Sequence, residues 1–313
     1  MKMKLNNQLI ILMVSLLFVS CKKNMNGQQD SPTSGVVQIA VDETFAPIVD
    51  NEIDVFESIY KTAGIVERVC PEIDAFNLLL KDSVRMIIAT RTLNEEENAY
   101  FKNKKIFPKE VKLAVDAVAL IVNNNNNDTL LTTANVKRIL LGEISQWNQI
   151  NPMSKLGAIK VIFDNPKSST AEYAVKEICG NTKLASSLSA VNSNLEVIEY
   201  VSNTPEAIGF IGASWISNHK DTTCMGFLDK IKIVAVSKES IANEENSYQP
   251  YQAYMATGQY PYIRNVYSII TDPRVGLPAG FTTFIASDRG QRIILKSGIL
   301  PATQPIRLIQ VKE

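Results

Sequence analysis

A chain of 313 residues with 32 Lys+Arg against 32 Asp+Glu carries no formal net charge. Its 45% hydrophobic and 20% charged residues are ordinary for a globular protein, which excludes intrinsic disorder, collagen and a polybasic nucleic-acid binder. A chain this long can bury roughly 75% of its unfolded surface and usually divides into two domains. The single histidine, His219, argues against a Ser-His or Cys-His hydrolase and excludes a multi-His metal site. No cofactor is expected.

The N-terminus reads as an export signal. Lys2 and Lys4 precede an apolar run, Leu9 to Val19, broken only by Ser15. The run is short for a bilayer span and suits a signal-peptide core. Leu17-Phe18-Val19-Ser20-Cys21 reads as a loose lipobox, with cleavage before Cys21 and lipid on its sulfur; an uncleaved anchor is the other reading. Removing Lys2 and Lys4 takes 32 basic residues to 30 against 32 acidic, a net charge of −2. Residues 21–35 are polar and read as a lipidated tether. Apart from Cys21, the cysteines are Cys70, Cys179 and Cys224, so at most one bridge forms within the chain. A Cys179–Cys224 pair and three buried thiols are equally open.

From residue 36 strands and helices alternate, which predicts an α/β protein with largely parallel sheets. Val36–Val41 reads as a strand, and Pro47 starts a helix with Ile53, Phe56 and Ile59 on one side. A strand at Ile65–Val69, a helix at Glu72–Leu80 and a strand at Arg85–Ala89 follow. Asn94 caps the next helix, and Glu95, Glu96 and Glu97 suit its positive end. The long apolar run Val111–Val122 is broken by Asp116, read here as structural. Asn123 to Asn127 close it and read as either the crossing between lobes or a surface loop. A helix at Thr133–Leu141 stops at Gly142, and a strand at Lys160–Phe163 leads to a helix from Ser168 to about Cys179. A helix at Leu195–Val201 precedes strands at Ala207–Ile211, Ile231–Val236 and Val266–Thr271. A helix over Gly280–Ser297 and a strand at Arg307–Val311 complete the chain.

Three strand-to-loop tips are rich in hydroxyls: Asp42-Glu43-Thr44-Phe45, Thr90-Arg91-Thr92 and Ser168-Ser169-Thr170. Ligands of open α/β sheets bind beyond the carboxyl ends of the strands. Helix starts offer unpaired N–H groups, and hydroxyls add neutral donors. Each tip alone also reads as a plain cap or turn. Their occurrence together predicts a small-anion site between two lobes, closed by a hinge.

Several segments carry a resemblance. They are ATRTLNEEE at 89–97, VDAVALIVN at 115–123, ANVKRILLGEISQW at 134–147, SST at 168–170, AIGFIG at 207–212, YPYIRNVY at 260–267 and GQRIILKSGILPA at 290–302. In order and spacing the chain resembles the phosphate-binding proteins of ABC transporters, the PstS-like substrate-binding lipoproteins. The resemblance implies a two-lobed periplasmic-binding-protein (Venus-flytrap) fold, each lobe a mixed, mostly parallel sheet flanked by helices. Lobe 1 is then expected over 36–122 plus 237–313, and lobe 2 over 123–236. It also implies a non-catalytic protein and a monomer, which with the lipid read on Cys21 would be exported and anchored to a membrane on the cell-envelope or periplasmic side. Inorganic phosphate or a similar oxyanion would be its ligand and an ABC permease its partner.

Matched residue by residue, Thr44 and Phe45 take the place of the first-turn ligands. Ser168, Ser169 and Thr170 take the place of a Ser-Gly-Thr helix start, with Ser169 in the place of the usual Gly. The family commonly has Arg four residues before the first Ser, where this chain has Asp164. The loop after the third strand holds Thr90 and Arg91. The implied assignment makes Arg91 the positive charge and Asp164 an acceptor for the proton that phosphate retains at neutral pH. A second reading has Asp164 capping its own turn and facing away. Arg264 in YPYIRNVY reads as structural. Rival functions are another oxyanion or an organic phosphate, a sensor or scavenger without a permease, and a hydrolase using Ser168 or Ser169.

Overall fold

The computed structural model describes residues 30–217 and 222–303, and all side chains within them except those of 222–224. The leader, Cys21, His219 and the expected strand at 307–311 lie outside the described residues.

The chain enters the fold at β1 (Gly35–Asp42), whose last four residues are buried. A 3-10 turn over Glu43–Phe45 follows, capped by the Asp42 carboxylate, which accepts from the Thr44 N–H. Helix α1 (Ala46–Ile59) has Pro47 in its first turn and turns Ile48, Val49, Ile53 and Phe56 inward. Then come β2 (Ala63–Cys70), α2 (Glu72–Leu80), the wholly buried β3 (Met86–Ala89) and α3 (Glu95–Asn103). Asn94 and Glu97 form a reciprocal capping box at the start of α3.

The 15-residue strand β4 (Lys109–Asn123) leads through β5 (Leu130–Thr132) to α4 (Thr133–Leu140). The chain then passes through β6 (Lys160–Phe163), α5 (Ser169–Tyr173), β7 (Ser189–Ala190), α6 (Asn194–Asn203) and β8 (Ala207–Gly212). Next are α7 (Thr222–Leu228), β9 (Ile231–Ile233), β10 (Ala235–Ser237), β11 (Ser247–Tyr248), α8 (Gln252–Ala256) and β12 (Ile263–Ile270). Helices α9 (Leu277–Ala286) and α10 (Asp288–Lys296) precede β13 (Leu300–Pro301).

The main sheet runs β2-β1-β3-β12-β4-β8-β6-β7, with β13 and β9 also on β4. β1, β2 and β3 are parallel, as are β6, β7 and β8, and β12 and β4 are antiparallel insertions between the two groups. β4 is the shared member. Lys109–Ala117 pair with β12, and Val118–Val122 pair with β8. A strand this long spans about 50 Å, enough to serve two sheets in turn. The partner therefore changes between Ala117 and Val118, inside the apolar run and ahead of the asparagines. A return segment crosses at the same level, where the Tyr260 hydroxyl donates to the Val118 carbonyl at 2.7 Å.

Three readings of the sequence differ from the fold. The expected helix at 280–297 is two helices, because Ser287 is extended and its hydroxyl returns to the Phe284 carbonyl. The expected strand at 231–236 splits at Val234, its halves joining different sheets. The helix from Ser168 widens into a π turn over Ala174–Ile178. Cys70 and Cys179 are free thiols, and the Cys224 side chain lies outside the described residues.

One buried acid in lobe 1 sets a pH-dependent cost. Glu52 is 1% exposed, and neither carboxyl oxygen has a hydrogen-bond partner. Phe45, Ile48, Val266, Ile285 and Ile294 line the small cavity beside it. Burial pushes its pKa up to about 9 from an ordinary 4.5. The folded state thus keeps a proton that the unfolded state releases. The associated stability is complete below about pH 4.5 and is lost as the pH rises toward 9. Glu52→Met is expected to stabilise the protein by about 1–3 kcal/mol at pH 8. Urea titrations should show a smaller gain at pH 5.

Candidate anion site between the lobes

The carboxyl ends of β1, β3 and β6 converge on one cleft, which places the three hydroxyl-rich tips together. Thr44 of the first lobe lies with its hydroxyl 3.5 Å from that of Ser169 of the second. The Thr44 carbonyl accepts from the Ser214 hydroxyl at 3.0 Å and the Trp215 indole at 3.1 Å. Lys167 reaches Asp74 at 3.1 Å across the same gap. The lobes are therefore in direct contact around a cavity of about 210 Å³.

Arg264 forms the cationic wall of that cavity. It stands opposite Asp116 in the β12–β4 ladder, just before the crossing. Its Nε and Nη2 donate to Asp116 Oδ2 at 3.1 and 3.0 Å. Its Nη1 is turned to the hydroxyls of Ser169 at 3.0 Å and Thr170 at 3.5 Å. Both charges are buried, Asp116 completely. Burial raises the Asp116 carboxyl, and the Arg264 guanidinium opposes that rise. Pairing keeps the cation in place in a low-dielectric setting and fixes the direction of its remaining N–H groups.

Glu72, in the first turn of α2, supplies an acceptor on the opposite wall. It accepts from the Thr90 N–H at 2.5 Å and the Thr90 hydroxyl at 2.8 Å. Burial, then the nearby Asp42, pushes its pKa up to about 7 against the Thr90 donors. Glu172, Tyr173, Lys176 and Glu177 line the outer part of the cavity. Lys176 is paired with Glu172.

The expected site residues divide between lining and support. Thr90, Arg91 and Ser169 line the cavity. Thr44 and Thr170 are fully buried, one hydrogen bond away through Ser169 and Arg264. Phe45 is a core residue with the Arg264 guanidinium 5.5 Å from its ring centre. The Ser168 hydroxyl caps α5 by accepting from the Ala171 N–H.

The two charged residues assigned from the sequence, Arg91 and Asp164, both meet partners within the protein. Arg91 forks onto both oxygens of Glu97, at 2.7 and 2.9 Å, and lies 3.4 Å over the Phe76 ring. Its charge is thereby matched within its own lobe. Asp164 does not line the cavity; its oxygens accept from the Ser168 hydroxyl at 2.5 Å and the Asn194 amide at 3.3 Å. It is a positioning group for the Ser168 tip.

Asn194 links the lobes. It donates to Asp164, and to Glu43 from its N–H and side chain, while its Oδ1 accepts from the Gly212 N–H at 3.0 Å. Burial pushes both Glu43 and Asp164 up to about 7, with Asp42 adding repulsion to each. Sequence reading missed Arg264 and Glu72 as lining residues. The sequence showed only an acid and a base, Asp116 and Arg264, each set among apolar residues.

The model of the PBP superfamily domain matches residues 26–289. The chain belongs to that superfamily. It is similar over its length to the phosphate-binding protein PstS of Borreliella burgdorferi, 26% identical over 302 residues, covering 93% of this chain and 98% of the relative. PstS of Staphylococcus saprophyticus is 23% identical over 282 residues, covering 88% and 83%. Among solved structures, a Clostridium perfringens substrate-binding protein with bound phosphate shares the fold with a TM-score of 0.71. It is 21% identical, and the match covers 86% of this chain and all 100% of that one. An ABC-type phosphate transport receptor from Vibrio cholerae shares it with a TM-score of 0.62 and 21% identity, covering 84% and 99%. The two-lobed PBP fold read from the sequence is the fold of this superfamily member.

Proposed function

We propose that this chain is an exported substrate-binding protein that captures inorganic phosphate between its lobes and delivers it to an ABC permease. The observation that carries the reading is Arg264. It is a buried cation at the cleft, held by Asp116, donating to the Ser169 and Thr170 hydroxyls and lining one cavity together with Ser169. A dehydrated oxyanion needs several short donors at once, and a guanidinium flanked by hydroxyls supplies them. The names of the similar proteins support phosphate as the ligand. The leader and the loose lipobox at Leu17–Cys21 support export and a lipid anchor on Cys21, and a monomer is the working state. No catalytic step is assigned. Calorimetry with phosphate, sulfate, arsenate and a phosphate monoester tests the reading; heat only with the monoester would replace inorganic phosphate by an ester.

Glu72 is the selective element in this proposal. Phosphate near neutral pH carries a proton that a carboxylate can accept, whereas sulfate carries none and meets only repulsion. Glu72→Gln keeps a carbonyl for Thr90 but replaces the acceptor charge by an amide. It is expected to reduce the phosphate-to-sulfate affinity ratio by about 10- to 100-fold, the range of one hydrogen bond to a charged group. An unchanged ratio in calorimetry at pH 8 would remove Glu72 from the role.

A further inference from the structure

We propose that the end of the first lobe opposite the cleft is a membrane-contact face, on which the Phe107 loop and its lysines dock against anionic lipid headgroups. The inference stands whether or not phosphate is the ligand.

The two helices that start at the cleft both end at this face. Glu72 opens α2 in the cavity wall, and Glu97 in the first turn of α3 holds Arg91 there. At their far ends the Tyr100 hydroxyl donates to the Leu80 carbonyl at 2.7 Å. Around that contact Lys81, Lys102, Lys104, Lys105 and Lys109 are all exposed. Phe107 stands among them, 79% exposed. It is presented by a fixed turn. Lys105 has φ 58°, the Ile106 N–H donates to the Phe101 carbonyl at 2.9 Å, and Pro108 restricts Phe107 itself. The acids nearby leave the patch positive: Glu110 keeps its charge while accepting from the Leu93 N–H at 2.8 Å, Asp82 is paired with Arg85 at 3.4 Å, and five lysines outnumber them. Glu95 and Glu96 lie at the other end of α3.

The N-terminal chain leaves the fold at the same end. Lys109 pairs with Ile270, the last residue of β12. Just beyond, Arg274 binds the Asp30 carboxylate at 3.1 Å, and Asp30 also accepts from the Leu277 N–H at the start of α9. The segment then crosses α9 at Gly280, where a Cβ would come within 1.8 Å of the Pro32 carbonyl oxygen. Asp30, the first described residue, therefore lies at the lysine-bearing end. An aromatic tip ringed by lysines suits a bilayer interface: the ring enters the headgroup layer while the ammonium groups stay at the anionic surface.

The test uses the full chain with Phe107→Trp, read against the unsubstituted chain to remove the signals of Trp147 and Trp215. Vesicles of phosphatidylcholine alone and vesicles containing phosphatidylglycerol are compared. With phosphatidylglycerol the added emission is expected to shift to the blue and to be quenched by brominated acyl chains. Salt at about 1 M, where the Debye length is about 3 Å, should reverse both effects. Lys102→Gln, Lys105→Gln and Lys109→Gln together should remove most of both effects with the melting temperature unchanged. Emission equal to that in solution, or equal shifts in both vesicle types, would overturn the proposal.

Discussion

Arg264→Gln is expected to weaken phosphate binding by about 100-fold or more, the loss of a buried charge-assisted contact to an anion. The substitution also removes the partner of Asp116, which is completely buried and holds its Oδ2 between the Arg264 Nε and Nη2 donors. Leaving a buried charge unpaired costs about 3–5 kcal/mol, so the single variant should also melt earlier. That second effect would confuse a simple binding assay. The double variant Arg264→Gln with Asp116→Asn separates them, because it leaves no net buried charge. It should recover most of the stability in thermal denaturation and none of the affinity in calorimetry. If affinity returned with stability, Arg264 would be a strand tie and the anion would be held elsewhere.

That outcome bears on why Arg264 was hidden in the sequence while the hydroxyl tips were not. Thr90 and Ser169 sit at the ends of short apolar strands, and strand ends in α/β sheets point to a cleft by local rules alone. Arg264 reaches the cleft only because β12 lies antiparallel to β4, which brings it opposite Asp116 across 148 positions of chain. No local pattern encodes that register. Position-matching to related proteins has the opposite weakness. It placed Asp164 at a ligand position, yet the direction of that side chain is set by Ser168 four residues on and by Asn194 on another helix. Arg91 was decidable from sequence. Glu97 at the third position of a capping box led by Asn94 returns its carboxylate to the helix start, where Arg91 lies. In the proposed site the cation is Arg264 of the crossing strands and the acceptor is Glu72. The lobe contacts then decide how much of the binding energy depends on closure.

Gly212→Ala tests that dependence directly. Gly212 ends β8 in the second lobe, and a Cβ there would lie 2.1 Å from Thr44 Cγ2 of the first. Its backbone, at φ −69° and ψ 137°, is open to any residue, so the added methyl strains nothing within its own lobe. The clash exists only where the lobes meet. Overfilling a packed contact costs about 1–3 kcal/mol, and here the whole cost falls on the closed form. A ligand that requires closure loses the same free energy, so phosphate affinity should fall by about 10- to 100-fold. The ligand-free melting temperature should hold, since separated lobes carry no clash, and X-ray scattering with saturating phosphate should report a larger radius than for the unsubstituted protein. Thr44→Ser removes Cγ2 and keeps the hydroxyl that meets Ser169. Combined with Gly212→Ala it should restore affinity. Recovery would place the cost in that one cross-cleft contact. Wild-type affinity in Gly212→Ala alone would mean that the ligand is held without the lobes meeting at Thr44.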